Sequence, residues 1–115
     1  MTKEELLRRL KKFSVDCYRL ASTLPQTQGG RYFENQLIRS SMSAYANYRA
    51  ACIGQSRATF VAKLSIAFEE ADESYLWLEM IIDTGTLRKD KVQPLYKESK
   101  ELASILAAAR RSSQN

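Results

Sequence analysis

Apolar side chains recur at steps of three and four residues through four stretches of the chain, the spacing that gathers them on one side of an α-helix. Leu6, Leu10, Phe13, Cys17, Leu20 and Leu24 mark the first stripe, and Leu95, Leu102, Ile105, Leu106 and Ala109 the last. Between them the pattern is wider. Phe33, Leu37, Ala44, Tyr48 and Ala51 form one stripe with Ile38, Met42, Tyr45 and Cys52 beside it. Phe60, Leu64, Ala67, Ala71, Leu78 and Ile82 form another, flanked by Val61, Phe68 and Tyr75. Two adjoining stripes on the second helix predict contacts on two sides, with neighbouring helices or with another subunit. The periodicity predicts helices over about 3–23, 31–53, 57–83 and 91–111. Four amphipathic helices with short links pack as an all-α, antiparallel up-down-up-down four-helix bundle.

The residues between the stripes punctuate the helices. Thr2 with Glu5 has the spacing of a capping box, and Pro25 follows the first stripe directly. Gln26 to Gly30 reads as a polar loop, with Arg31 or Tyr32 opening the second helix. Gly54 can end a helix in the left-handed conformation, and Ser56 can accept from the first free amides of the next. Thr84-Gly85-Thr86 closes the third helix. Asp90 reads as the cap of the fourth, with Gln93 at the capping-box position and Pro94 in the first turn. Ser112 to Asn115 read as a fraying end.

One stretch carries a resemblance. Leu37-Ile38-Arg39-Ser40, Ala46-Asn47-Tyr48-Arg49, Phe60, Lys63-Leu64, and Glu69-Glu70-Ala71-Asp72-Glu73 leading to Trp77-Leu78-Glu79 occur in this order and spacing. The run resembles the bacterial four-helix-bundle proteins first noticed as open reading frames within intervening sequences of large-subunit ribosomal RNA genes. The match is close over the middle two fifths of the chain and extends to the outer helices in pattern. The resemblance implies an antiparallel four-helix bundle assembled as a ring-shaped homopentamer, non-enzymatic, with RNA or another nucleic acid as partner. Related small bundles serve as accessory subunits of reverse transcriptases in diversity-generating retroelements, so a protein adaptor is the alternative, although no motif here ties the chain to them. In two places the sequence departs from the family's pattern: Thr59 stands where relatives carry an acidic capping residue, and Cys52 to Gln55 holds fewer basic residues.

Composition narrows the picture. A chain of 115 residues with 44% hydrophobic content suits one domain with a continuous core. No apolar run approaches the roughly 20 residues of a membrane span, and a charged helix opens the chain, so a cytoplasmic protein is expected. Cys17 and Cys52 fall on apolar faces about 20 Å apart at 1.5 Å per residue, beyond disulfide reach, and read as buried thiols.

The formal charge of +5 is unevenly spread. Residues 57–83 hold six carboxylates against two cations, while the segments around them are net basic. On the first helix Arg8, Lys11, Lys12 and Arg19 lie roughly opposite the apolar stripe, and the end of the chain adds Arg88, Lys89, Lys97 and Lys100. Such cations can bind phosphates by releasing counterions; a plain solvated face is the competing reading, since Glu4, Glu5 and Asp16 dilute the stripe. Arg39 and Arg49 stand among small and apolar neighbours, where a guanidinium needs a carboxylate. Arg49 is expected to form a structural ion pair with Glu70 and Glu73. Tyr45 and Trp77 are candidates for a subunit interface, with ordinary core as the competing role for Trp77.

The chain contains no histidine. That removes the Glu-x-x-His motifs of di-iron bundles and the Ser-His and Cys-His nucleophilic pairs. No glycine-rich phosphate loop is present either. No metal, cofactor, catalytic residue or small-molecule substrate is therefore expected.

Overall fold

A computed structural model describes residues 1–54 and 56–114. Gln55, at the joint noted above, and Asn115 lie outside the described residues. Four helices, α1 (Lys3–Ala21), α2 (Gln28–Ile53), α3 (Arg57–Asp83) and α4 (Lys89–Gln114), form a body of 44 × 20 × 20 Å. No strand occurs among the described residues. Contacts between neighbours descend on one helix as they climb the other. Tyr32 meets Trp77 and Arg39 meets Glu70, while Tyr75 meets Tyr96 and Phe68 meets Arg110. Each helix thus runs against its predecessor, and α4 returns beside α1, where Arg9 meets Glu98. The fold is an up-down-up-down four-helix bundle. Its closest packing is α2 on α3, and its thinnest is α1 on α4.

Local chemistry sets the helix ends. Thr2 Oγ1 accepts from Glu5 N at 3.1 Å, and Ser56 Oγ accepts from Thr59 N at 3.0 Å, so two of the three expected N-caps are made. Several expectations are corrected. The second helix starts at Gln28 rather than Arg31, because Thr27 Oγ1 caps it by accepting from Gly30 N at 3.1 Å and draws both glycines into the first turn. Gly54 is extended (φ −65°, ψ 147°), since the chain reverses through extended residues at Gly54 and Ser56. Asp90 lies inside α4, its carboxylate taken by Arg88 Nε and Nη2 at 3.1 and 2.7 Å; Pro94 is the helix's sixth residue, beyond the first turn. At the other end α4 stays helical through Gln114, where Arg57 donates to the Ser113 carbonyl at 2.5 Å.

Leu10, Phe13, Leu37, Leu64, Leu78, Ile81, Val92, Leu102 and Leu106 form the buried centre. Ile81, three residues after Leu78, completes the α3 stripe; Ile82 only packs at its edge. Small side chains, Ser40, Ala44, Ala67, Ala71 and Ser74, bring α2 and α3 close. The two buried serines satisfy one another at 2.8 Å, and Ser74 Oγ lies 3.0 Å from the Glu70 carbonyl, so neither hydroxyl is stranded. Because that bond sets the level of α2 on α3, it also decides which charged residues meet across them.

Candidate nucleic-acid interface

The α1 cations expected to bind phosphate are all exposed: Arg8, Lys11, Lys12 and Arg19 point away from the core. Lys12 is tied to Asp16 one turn later at 2.6 Å. Arg8, Lys11 and Arg19 have no ion pair among the described residues. Arg9 was not singled out by its spacing, and it behaves differently. It sits one residue off the Leu6–Leu10 stripe, on the flank toward α4, where it binds Glu98 at 2.6 Å and Glu101 at 3.2 Å. A cation at the edge of an apolar stripe is the signal that could have marked it as a clasp.

The cations contributed by the end of the chain do not join this surface as one patch. Arg88 is paired with Asp90 at 2.7 Å. Lys89 lines a small crevice with Glu79 and Asp83, and Lys100 lines another with Phe68, Asp72 and Tyr75, so both stand beside the acidic α3. Lys97 is exposed on α4. Between the α1 and α4 stripes runs a seam of ion pairs in which two cations, Arg9 and Lys12, meet three carboxylates, Asp16, Glu98 and Glu101. α1 and α4 each hold six cations against three carboxylates, and on α1 Arg8, Lys11 and Arg19 stand exposed and unpaired among the described residues. Arg110 lies over the Phe68 ring at 4.7 Å and Lys3 over Phe60 at 5.5 Å, which ties each to an aromatic face.

Within the chain, the ion pair expected of Arg49 belongs to Arg39. Its guanidinium reaches Glu70 at 2.9 Å and Glu73 at 2.5 Å, and also Gln36 at 3.2 Å. The Ser40–Ser74 register puts Arg39 opposite both carboxylates; Arg49, ten residues further on, is about 15 Å away along the axis. Arg49 is exposed and has no ion pair among the described residues. The Arg39 hydrogen bond holds the Glu73 carboxyl below its usual range. A depressed carboxylate contributes stability above its unfolded value and loses it as pH falls through the folded one. Arg39 is 47% exposed, so screening keeps the contribution to under about 1 kcal/mol. Arg39→Met should lower the urea midpoint at neutral pH, with the deficit against wild type vanishing as the pH falls below the carboxylate range, while Arg49→Met should change neither. An equal loss in the two variants would contradict this assignment.

Tyr45 and Trp77 occupy opposite flanks of α2. Tyr45 packs partly buried on the side toward α1, whereas Trp77 stands edge-on to Tyr32 at 5.6 Å and 83° on the side toward α3. The Trp77 indole N–H, turned toward Glu73, is buried yet completes no hydrogen bond of proper geometry. Beside it Tyr32, and one turn on Met80, are exposed, giving an apolar patch on the α2–α3 flank.

The remaining reactive groups are quiet. Cys17 is fully buried, and burial pushes its thiol far above the ordinary value, away from the nucleophilic form. Tyr96 stacks on Tyr75 at 4.8 Å and shares a hydroxyl contact with it at 3.0 Å, a contact that raises the Tyr96 phenol. Among the described residues no group of three or more His, Cys, Asp or Glu side chains is placed to hold a metal ion, and no helix is long and apolar enough to cross a membrane.

The family model described as "23S rRNA-intervening sequence protein" matches residues 3–108. Among solved structures, the chain is similar to a protein with unknown function from the S23 ribosomal protein family of Bacteroides thetaiotaomicron, with a TM-score of 0.87 and 31% identity, over 96% of this chain and 99% of that one. Among curated proteins no sequence matches.

Proposed function

Since this chain belongs to the 23S rRNA-intervening sequence protein family, we propose that it is a non-enzymatic, self-associating helical bundle that binds RNA through the outer face of α1. The observation that carries the reading is the state of the α1 cations. Arg8, Lys11 and Arg19 are exposed on one helix and unpaired among the described residues, whereas Arg9, Arg39 and Arg88 are matched with carboxylates and Lys3 and Arg110 with aromatic rings. A line of unneutralised cations attracts any phosphate backbone and gains affinity by freeing its counterions. Self-association is supported by the apolar patch of Tyr32, Trp77 and Met80, and by an acidic α3 that can face the basic surface of another copy in a ring. The resemblance implies five subunits.

Two measurements test this reading together. Native mass spectrometry of the protein as expressed reads subunit number and retained RNA. A salt titration of RNA binding should give a steep fall in affinity, and converting Arg8, Lys11 and Arg19 to Gln should reduce the slope of log K against log salt by about 2 to 3, roughly one per lost phosphate contact. Affinity indifferent to both salt and the triple substitution would remove RNA binding from the proposal.

A further inference from the structure

Resting on the RNA-binding reading, we infer that the face shared by α1 and α2 is a site for unpaired RNA bases, with Tyr18 as the stacking platform and Arg8, Lys11 and Arg49 as its phosphate contacts. The placement follows from what each flank of the two helices touches. On α1, Arg9 and Asp16 lie toward α4: Arg9 holds Glu98, and Asp16 lines the seam with Leu95. Lys11 and Tyr18 lie one residue to the other side of Leu10 and Cys17, on the flank toward α2, where Cys17 meets Ser41. They are seven residues apart, two turns of one row, about 10 Å along the axis. On α2, Arg39 and Ser40 are committed to α3 through Glu70, Glu73 and Ser74. The flank left toward α1 carries Ser41, Tyr45 and Arg49, with Glu34 two turns before Ser41 on the same row.

Tyr18 is 51% exposed, and its hydroxyl makes no hydrogen bond among the described residues. A large ring left in water beside Val15, also exposed, has a face available for a base. Along the axis Lys11 lies about 10 Å and Arg8 about 15 Å from Tyr18 on α1, and Arg49 about 12 Å beyond Ser41 on α2, each without an ion-pair partner among the described residues. The closest carboxylates of α1 are set apart: Asp16 is held by Lys12 on the α4 flank, and Glu4 and Glu5 lie in the first turn. Aromatic ring and free cations on one surface are the combination that holds single strands, because the cations track the backbone and every base has a face to stack. In a duplex those faces are already covered by neighbouring base pairs, and a ring standing on a convex helix pair cannot enter the stack. The cations alone would serve either form; Tyr18 adds affinity only for unpaired nucleotides.

Fluorescence anisotropy of the full chain with a labelled oligouridine, and with a labelled RNA duplex, separates the two ideas. Tyr18→Ala is expected to weaken binding of the single strand about ten-fold and leave the duplex unchanged, and Tyr18→Phe to keep wild-type affinity for both. Thermal melting of each variant should match wild type, since the ring is at the surface. Unchanged single-strand affinity in Tyr18→Ala, or an equal loss on both RNAs, overturns the stacking site. So does a change in subunit number on that substitution, which would show the face covered by a second copy. If wild type binds the duplex with steep salt dependence while Tyr18→Ala is silent, only this inference fails; if wild type binds neither RNA, the parent reading fails with it.

Discussion

Phe13→Ala should cost about 4 kcal/mol of folding stability and lower the melting temperature by roughly 15 °C. Phe13 is the largest side chain in the fully buried set, 1% exposed, and stands on α1 beside the groove that Leu95, Pro94 and Glu98 of α4 line. Removing its ring forfeits the transfer free energy of the lost carbons and leaves a hole that the neighbours fill only in part. The site makes the effect larger in its consequences. With 19 residues α1 is the shortest helix, and its contact with α4 is the thinnest in the bundle, so the Arg9–Glu98–Glu101 clasp and Phe13 together hold that side. Against a typical total of about 5–15 kcal/mol, a loss of this size brings the chain near its unfolding threshold. Phe13→Leu keeps most of the volume and should cost about 1 kcal/mol. Chemical denaturation followed by circular dichroism reads both, and near-equal midpoints for Phe13→Ala and wild type would mean that the α1–α4 side carries little of the core.

Gly30→Ala is the second change with a large expected effect, a loss of about 3 kcal/mol. A Cβ built on Gly30 would fall 1.8 Å from the Pro25 carbonyl oxygen and 2.9 Å from the carbonyl carbon. Those are backbone atoms of the connection between α1 and α2, so relief requires moving the loop, and with it the Thr27 hydroxyl that caps α2 through Gly30 N. Gly29, one residue earlier, supplies the control. Nothing lies within 4 Å of its Cβ position, and Ala favours a helix over Gly, so Gly29→Ala should raise stability by about 0.5 kcal/mol. Opposite signs in thermal melts of adjacent glycines are the expected signature. If both variants lose stability alike, close approach to Pro25 is not what requires a glycine at position 30.

These two sites differ in how visible they were. Phe13 belongs to a stripe whose spacing announces burial before any coordinates. Gly30 does not: a pair of glycines after a proline reads as a loop, and Thr27 shows as a cap only once the chain is seen turning inward against Pro25. The same contrast runs through the candidate site. The outward placement of Arg8, Lys11, Lys12 and Arg19 follows from lying opposite Leu6, Leu10 and Phe13. That Lys89 and Lys100 stand beside α3 carboxylates, that Arg9 is spent on Glu98, and that Tyr18 keeps an open face could not be read from α1 or α4 alone.

Periodicity by itself determined that this chain makes four amphipathic helices and stacks them in alternating directions, because a 3.6-residue repeat leaves each helix one side to hide and short links leave its successor one way to run. Which residue meets which across a seam was decided only in three dimensions. Sliding α2 along α3 by a few residues would keep leucines against leucines and change every charged pairing, so hydrophobic burial is nearly indifferent to the offset. Close contacts between small groups select it: the Ser40–Ser74 bond, and the alanines that let two backbones approach. That selection gives Glu70 and Glu73 to Arg39 and leaves Arg49 unclaimed among the described residues.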